Sequence, residues 1–324
     1  MAAQPPPLRD QPGAPRPAAP AVAVVIPSLG RGALEDCLDA VRSLDPPPAR
    51  VIVVLSGRAT VRECPGIEIV RPSQALGFAA ASNLGIARTA GDAERVALLN
   101  DDALPPPHWL ATLGRALDRD SRLAAVQGTV TDAGGRTVDG RGITLDRFAL
   151  PVQVDRGLPS AEETGGLRPV LAVSGTATLW RAAALAEASA GAVAPFDPAF
   201  GSYHEDLDLG LRLRRLGWRA AWVGGAPTRH AGSASGSAMR WRQPWWILAN
   251  RWRALAGNLS AGALIGALPR LLRGELRALR TLARTNPRAP TVAAAVAAAW
   301  PWLVAAGWRR ATKGPRLVAL PEEP

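Results

Sequence analysis

The sequence is poor in cysteine and carries no recognisable secretion signal. Its 324 residues include only two cysteines, Cys37 and Cys64, which do not form a Cys-x-x-Cys motif. A disulfide framework is therefore not expected, and the reducing cytoplasm is the compartment that fits best. The first 20 residues are rich in proline and alanine but have neither an apolar core nor a small-residue cleavage site. We interpret residues 1–20 as a disordered tail rather than a signal peptide.

Acidic residues are scarce in the last third of the chain. Residues 211–324 contain 19 Lys+Arg against 3 Asp+Glu, whereas residues 1–210 contain 19 against 24. The formal net charge of +11 is therefore concentrated in one region. This concentration indicates an anionic partner for that region, such as anionic lipid, a phosphorylated acceptor or nucleic acid.

Apolar runs alternate with segments of helical periodicity, and no internal repeat of fixed period is visible. The sequence predicts strands at residues 21–27, 50–55, 67–70, 96–99, 123–130, 170–180 and 219–223, and helices at 33–44, 76–90, 108–118 and 205–216. This alternation predicts βαβ units and hence an α/β fold with a parallel sheet. The Gly-rich residues 131–167 predict loops and a hairpin that cross one side of the sheet.

Two adjacent carboxylates directly follow an apolar strand. Asn100-Asp101-Asp102 comes after the run Val-Ala-Leu-Leu, and ligands of α/β sheets bind outside the carboxyl ends of the strands. We expect residues 27–30 and 56–57 at the same edge. One carboxylate there would bind Mg²⁺ or Mn²⁺ together with substrate phosphates, and the other would orient a sugar hydroxyl. A solvated turn that caps the following helix explains the same residues equally well.

Three acids open the predicted helix at residues 205–216. They belong to the segment Tyr203-His204-Glu205-Asp206-Leu207-Asp208. Carboxylates near a helix N-terminus are favoured by the macrodipole, so capping is the common explanation. The alternative is that one of them is a general base, which the same positive helix end keeps ionised at neutral pH.

His230 precedes a Gly- and Ser-rich segment, residues 232–236. A lone histidine usually makes a structural hydrogen bond, but it is also a natural metal ligand where a mobile loop closes over a diphosphate. Of the other histidines, we expect His108 to be structural and His204 to help shape an acceptor site.

Six segments in a defined order carry a family resemblance. They span residues 21–236 and are VAVVIPSLGR, GFAAASNLGI, LLNDDA, VSGTATLWRAAAL, FDPAFGSYHEDLDLGLRLRRLGWR and the late His230 with GSAS. They resemble glycosyltransferase family 2, which has the GT-A fold, and especially its rhamnosyltransferase-like branch. The resemblance implies a Rossmann-like, mostly parallel sheet with helices on both faces. It also implies a UDP- or dTDP-sugar donor and Mg²⁺ or Mn²⁺. Together with the basic, tryptophan-rich C-terminal region, it leads to the hypothesis of a glycan or lipid-linked acceptor in cell-envelope polysaccharide synthesis.

The resemblance also assigns roles to residues of this sequence. Asp102 and His230 would hold the metal. Asp206 would be the catalytic base of an inverting enzyme, and Glu205 would support it or bind the acceptor. The nucleotide sugar would lie against Pro27, Ser28, Arg31, Ser56, Asn83, Asn100, Asp101 and Gly175.

One family feature is missing after the second strand. The family usually has an acid there, in a pattern like Asp-Asn-Gly-Ser, that contacts the nucleotide base. This chain has Leu55-Ser56-Gly57-Arg58 instead. The resemblance therefore leaves the choice between UDP and dTDP open.

Three other functions fit parts of the sequence. A processive polysaccharide synthase carries Gln-x-x-Arg-Trp, whereas residues 237–241 end in Arg-Trp without the glutamine. A sugar-phosphate nucleotidyltransferase needs a Gly-rich, Arg-containing loop after the first strand, of which residues 28–32 are a poor version. A nucleic-acid-binding protein would explain the basic region. Its arginines are not interleaved with aromatic platforms in a recognised module, so we expect no nucleic-acid partner.

The C-terminal region, residues 237–324, is basic, rich in tryptophan and predicted to be helical. Residues 243–259 place tryptophans among arginines, as in an interfacial amphipathic helix, and residues 268–284 align arginines on one helical face. Residues 289–308 are apolar but dominated by alanine and interrupted by Pro301, which argues against a membrane span. We expect a peripheral attachment to the anionic inner face of the cell membrane, with a homodimer interface as the alternative.

Overall fold

Strands and helices alternate over most of the chain. The computed structural model describes residues 20–30, 33–57, 61, 65–161, 166–189, 194–231, 243–309 and 315–321. The strands are β1 (Val22–Ser28), β2 (Arg50–Leu55), β3 (Ile67–Val70), β4 (Arg95–Leu99), β5 (Ala103–Leu104), β6 (Leu123–Gln127), β7 (Val130–Thr131), β8 (Val138–Gly140), β9 (Ile143–Leu145), β10 (Pro151–Gln153), β11 (Leu167–Val170), β12 (Ala177–Arg181), β13 (Arg219–Val223) and β14 (Thr228–His230). The helices are α1 (Leu34–Arg42), α2 (Phe78–Ala87), α3 (Trp109–Asp118), α4 (Ala182–Ala188), α5 (Glu205–Arg215), α6 (Gln243–Asn258), α7 (Ala261–Thr285) and α8 (Ala289–Arg309).

Eight of these strands form one mixed sheet, in the order β11-β13-β6-β12-β4-β1-β2-β3. The strands β3, β2, β1 and β4 run parallel to one another, and β6 runs parallel to β13. The strand β12 lies antiparallel between β4 and β6, and β11 is antiparallel to β13. The predicted α/β fold with a mostly parallel sheet is confirmed.

The central strands are buried on both faces, which explains their unbroken apolar sequence. In β1, Val24 and Ile26 pack on one face of the sheet with residues of α1 and α3. Val25 packs on the other face with residues of α2, α4 and α5. All three side chains are fully buried, so helices cover both faces, as expected.

The single strand predicted at residues 170–180 is wrong, because the chain forms two strands there. The strand β11 ends at Val170, and β12 begins at Ala177. Between them the Ser174 amide donates a hydrogen bond to the side chain of Gln127 at 2.6 Å. A Cβ atom on Gly175 would lie only 2.7 Å from the ring of Phe78. The segment therefore turns across the end of the sheet instead of continuing a strand.

The strand predicted at residues 123–130 is shorter than expected. It ends at Gln127, and Val130 belongs to β7 in a second sheet, ordered β5-β14-β7-β8. A Cβ atom on Gly128 would lie 2.4 Å from the carbonyl oxygen of Ala226, so two backbones approach closely at the break. The strands β9 and β10 pair as a hairpin within the Gly-rich stretch.

Helix α6 lies in the interior, so the prediction of an interfacial helix at residues 243–259 is wrong. Trp252 and Leu255 are 1% and 0% exposed. Both belong to the same buried cluster as Leu207 and Leu211 of α5. The ring of Trp252 also meets Trp300 of α8 edge to face, with ring centroids 5.6 Å apart. Apolar side chains occupy the face of α6 that contacts α5, so this helix belongs to the core.

Both α7 and α8 expose apolar side chains, including Trp302 of α8 at 59%. Ile265, Leu272 and Leu276 are 70%, 52% and 50% exposed, and the neighbouring Arg273 and Arg277 are exposed as well. Helix α8 is long and apolar enough to cross a membrane, judged by length and composition alone.

The expected domain boundary after residue 236 lies outside the described residues. The tail predicted at residues 1–20 also lies outside them, except for Pro20.

Candidate active site

The carboxyl ends of β1, β2 and β4 meet at one edge of the sheet. The Ser56 amide donates to the Ser28 carbonyl oxygen at 2.8 Å, and the Ser28 hydroxyl donates to Asp101 Oδ2 at 2.5 Å. A Cβ atom on Gly57 would lie 1.9 Å from the Leu29 carbonyl oxygen, so a side chain there would prevent this approach. These contacts join the turns that follow three parallel strands.

Asp101 is buried beneath the turn that follows β1, with 8% of its surface exposed. Burial raises the pKa of the Asp101 carboxyl, and the hydrogen bond from the Ser28 hydroxyl opposes this effect. The same hydroxyl oxygen accepts a hydrogen bond from the Gly30 amide at 2.8 Å. Ser28 therefore couples the carboxylate to the backbone of the turn.

The pairing of β5 with β14 brings Asp102 and His230 side by side. His230 lies opposite Ala103 in the register, and the Ala231 amide donates to the Asp102 carbonyl oxygen at 3.0 Å. His230 Nε2 lies 3.0 Å from Asp102 Oδ1, while Nδ1 lies 3.2 Å from Asp139 Oδ2. The imidazole therefore stands between two carboxylates.

The Asp102–His230 pair has the chemistry of a partial metal site. Burial opposes the charged form of His230, but Asp102 and Asp139 outweigh it and raise the pKa of His230 to about 9. Despite the short distance, Nε2 has no aligned hydrogen-bond partner among the described residues. Within the same residues, no group of three or more His, Cys, Asp or Glu side chains is placed to hold a metal. A cation here would need substrate oxygens as further ligands.

Asp206 lies in the first turn of α5 and faces the segment before β12. Its Oδ1 accepts from the Leu207 amide at 2.8 Å, and its Oδ2 accepts from the Gly175 amide at 3.3 Å. Desolvation by burial outweighs these two bonds and raises the pKa of Asp206 to about 6. The carboxylate is therefore ionised at neutral pH and is a stronger base than an aspartate in water.

Glu205 is buried beside Asp206, with 6% of its surface exposed. Burial, and then the charge of Asp206, raise the pKa of Glu205 well above its usual range. In the described part of the chain its Oε2 atom has no hydrogen-bond partner. Buried polar atoms are normally hydrogen-bonded, so a buried carboxyl oxygen without a partner among these residues is an unusual feature of this site.

A short backbone bridge joins the two groups of acidic residues. The Asn100 amide donates to the Thr176 carbonyl oxygen at 2.8 Å, and the adjacent Gly175 donates to Asp206. The turn with Asp102 and the start of α5 therefore lie at the same end of the sheet.

The structure gives two other predicted residues a structural contact. Asn83 exchanges two hydrogen bonds with the Phe196 backbone: Nδ2 donates to the carbonyl oxygen at 2.5 Å, and Oδ1 accepts from the amide at 2.9 Å. Its amide group is thus engaged in holding the loop before α5. His108 Nε2 lies 2.9 Å from the Gly225 carbonyl oxygen. Arg31 lies outside the described residues, as do residues 232–242.

Sequence reasoning missed two side chains that contact the site. Asp139 lies in the Gly-rich stretch, where no local pattern marks it, and Asn250 lies in the middle of α6. The Asn250 Nδ2 atom lies within 3.0 Å of three backbone carbonyl oxygens in the loop before Glu205. An asparagine directly after the apolar run Ile247-Leu248-Ala249 was the available signal for Asn250.

A model of the family described as Glycosyltransferase like family 2 matches residues 19–252, well over half of the chain. The chain belongs to this family. It is therefore a glycosyltransferase, as predicted. A search of curated protein sequences gives no significant match.

Solved structures share the architecture at low sequence identity. GalNAc-T7 with UDP, GalNAc and Mn²⁺ aligns with a TM-score of 0.58 and 14% identity, over 76% of this chain and 49% of that chain. The mannosyltransferase PcManGT from Pyrobaculum calidifontis, in complex with GDP-Man and Mn²⁺, aligns at 0.51 and 19% identity, over 92% and 89%. S. aureus TarS 1–349 aligns at 0.53 and 13% identity, over 83% and 74%. The predicted GT-A fold is confirmed, although the chain spans only about half of GalNAc-T7.

Proposed function

We propose that this glycosyltransferase is a metal-dependent, inverting enzyme that moves a sugar from a nucleoside diphosphate to an acceptor hydroxyl. The observation that carries the proposal is the bridge Gly175-Thr176, which contacts both Asp206 and Asn100. The bridge sets a basic carboxylate and the Asp102–His230 pair at one end of the sheet. A base and a cation site in that arrangement act on one substrate.

Asp102 and His230 would hold the divalent cation, either Mg²⁺ or Mn²⁺. His230 Nε2 and Asp102 Oδ1 lie 3.0 Å apart, close enough to share one cation, and Nε2 would give up its proton when the cation binds. The bound metal would neutralise the charge that develops on the departing nucleoside diphosphate. Mn²⁺ is part of the GalNAc-T7 and PcManGT structures, which supports this cofactor.

Asp206 removes the proton from the acceptor hydroxyl. Its pKa of about 6 leaves it ionised at neutral pH while still basic enough to accept a proton. The amides of Leu207 and Gly175 hold the carboxylate in place. The acceptor oxygen attacks the anomeric carbon from the side opposite the diphosphate, which inverts its configuration. Glu205, buried beside Asp206, supports the base or binds the acceptor.

The donor lies along the edge where β1, β2 and β4 end. Residues proposed to line it are Pro27, Ser28, Arg31, Ser56, Asn100, Asp101 and Gly175. Asn83 is left out of this proposal because the Phe196 backbone engages its amide group. UDP in GalNAc-T7 and GDP-Man in PcManGT support a nucleotide-sugar donor. From the family resemblance we propose a UDP- or dTDP-sugar and a rhamnosyltransferase-like role in cell-envelope polysaccharide synthesis.

A glycan or lipid-linked acceptor at the cytoplasmic face of the cell membrane completes the proposal. Its support is the surface of α7, where Ile265, Leu272 and Leu276 are exposed beside Arg273 and Arg277. An apolar stripe flanked by cations suits attachment to an anionic lipid interface. A second copy of the chain is the alternative occupant of this surface.

Calorimetry against UDP, dTDP and GDP, with and without Mn²⁺, tests the donor site. We expect at least one nucleotide to bind more tightly with Mn²⁺, and this gain to disappear in Asp102→Asn. Asp36→Asn, which changes an exposed carboxylate on α1, is the matched control and should bind as the wild type does. Release of nucleoside diphosphate from the corresponding sugar nucleotides then identifies the donor. Absence of binding by all three nucleotides would overturn the proposal.

A further inference from the structure

The loop that precedes the proposed base has an unusual backbone. Gly201, Tyr203 and His204 have φ angles of 67°, 72° and 67°, in the left-handed region that residues with side chains rarely adopt. Such conformations persist only where the surrounding structure holds them, and they cluster at functional sites. Glu205 and Asp206 follow this loop directly, so its conformation sets their position.

One side chain of α6 holds this loop. Asn250 Nδ2 lies 2.9 Å from the Phe200 carbonyl oxygen, 3.0 Å from that of Ser202 and 2.9 Å from that of Tyr203. Asn250 is 2% exposed, so water is a poor substitute for its amide. A single amide group has two hydrogens, and three carbonyl oxygens converge on them. Losing this donor would remove a hydrogen-bond partner from each of these oxygens, which is unfavourable in a partly buried site. The Phe200 oxygen would keep the Ser202 amide, 2.7 Å away.

Helix α6 is itself tied to both sides of the loop. Before the loop, the Arg253 guanidinium donates to the Ala199 carbonyl oxygen and lies 5.5 Å from the centre of the Phe200 ring. After it, Asn258 Nδ2 donates to Asp208 Oδ1 in α5 at 2.9 Å. The loop is therefore fixed relative to α5 through the C-terminal region.

We propose that Asn250 is a positioning residue for Asp206, and that α6 is required to place the base against the acceptor. The proposal rests on the proposed role of Asp206. Misplacement of a reacting group by about 1 Å costs on the order of 10²-fold in rate. Activity of this chain therefore depends on α6, which follows the predicted domain boundary at residue 236.

Two variants of the full chain test the proposal. Asn250→Asp keeps the shape of the side chain but loses both donor hydrogens. Gly201→Ala strains the loop from its own backbone without changing α6. For both we expect release of nucleoside diphosphate from the selected sugar nucleotide to fall roughly 10- to 100-fold, while Mn²⁺-dependent binding of the nucleoside diphosphate stays within about twofold of wild type.

A pH profile and hydrogen exchange supply readouts that general destabilisation would not reproduce. The hydrogen bond from the Gly175 amide lowers the pKa of Asp206. A displaced Asp206 would lose this bond, so its pKa would rise and the acidic limb of the rate profile should move to higher pH. Amide exchange should rise locally in residues 200–207. Leu248→Ala is the control, because Leu248 is buried on the same helix but packs with Val292 and Val296 of α8. It should lower the melting temperature and leave the acidic limb in place.

Three results would overturn the positioning role. One is wild-type turnover with an unmoved acidic limb in Asn250→Asp. Another is a loss of turnover in Leu248→Ala as large as that in Asn250→Asp, when the two variants have the same melting temperature. The third is amide exchange in residues 200–207 of Asn250→Asp that is unchanged from wild type. This third test does not depend on which reaction the protein catalyses. A wild-type protein that releases nucleoside diphosphate from no sugar nucleotide would instead overturn the proposed function.

Discussion

His230 and Asp139 are joined by a hydrogen bond across 91 residues of sequence, with Nδ1 lying 3.2 Å from Oδ2. The other ring nitrogen of His230 faces Asp102, and the other oxygen of Asp139 lies 3.2 Å from Arg156. Histidines that bind metals commonly donate their second N–H to a carboxylate, which fixes the ring and makes it a better ligand. Asp139 therefore orients the proposed metal ligand.

Asp139→Asn should weaken Mn²⁺ binding by about 10- to 100-fold, the usual cost of losing such an outer carboxylate. The amide still accepts a hydrogen bond, but it no longer makes the imidazole more basic. Calorimetric titration of Mn²⁺ in the presence of the bound nucleoside diphosphate measures the change. Arg156→Ala, which removes only the exposed partner of Asp139, should have a much smaller effect. Equal affinities in wild type and Asp139→Asn would contradict this role.

Asp206→Asn should lower turnover by about 10²- to 10⁴-fold, because a positioned general base contributes that much to the rate. Donor binding should be nearly unchanged, since the amide retains the shape of the side chain. Steady-state release of nucleoside diphosphate and calorimetry together separate the two effects. Turnover close to that of the wild type would exclude Asp206 as the base.

The rate should fall as the pH is lowered through about 6, because burial raises the pKa of Asp206 to that value. Below it, a growing fraction of the carboxyl is protonated and unable to accept the acceptor proton, so the rate drops about tenfold for each further pH unit. Turnover at saturating substrate from pH 5 to 8 measures this limb. The residual rate of Asp206→Asn should lack it. A flat wild-type profile over this range would contradict the assignment.

The double variant Leu272→Glu, Leu276→Glu should reduce binding to vesicles that contain anionic phosphatidylglycerol. Both leucines are about half exposed on α7, and carboxylates there would be repelled by the lipid surface. Flotation with anionic and neutral vesicles at low and high salt measures the loss. Leu158→Glu, at 52% exposure outside α7, is the matched control. Undiminished binding of the double variant would argue for another occupant, such as a second copy of the chain, which sedimentation would reveal.

The central strands and most of the helices were predictable because the pattern of apolar and polar residues within each segment specifies them. Strands covered on both faces need unbroken apolar runs, and Arg50–Leu55 has the predicted bounds. The bounds of Ile67–Val70 and Arg219–Val223 are also as predicted. The error at residues 170–180 has a tertiary cause. Contacts of Ser174 with Gln127 and of Gly175 with Phe78 end a strand that the local apolar pattern would continue.

The interior position of α6 was not predictable from its composition. Tryptophans among arginines are compatible with a membrane interface and with a core helix, and the pattern is the same in both. The choice depends on what packs against the helix, here Leu207 and Leu211 of α5 and Trp300 of α8. The exposed arginines and leucines of α7, by contrast, follow the periodicity of the sequence.

The sequence by itself determined the α/β architecture and the acidic residues at strand and helix ends, because alternating burial and chain reversal are encoded over a few residues. Only the tertiary structure decided which side chains meet. It paired His230 with Asp102 and Asp139, set Gly175 against Asp206, and placed Asn250 under the loop before α5. Each of these contacts joins residues far apart in the chain, and their geometry depends on how whole elements pack.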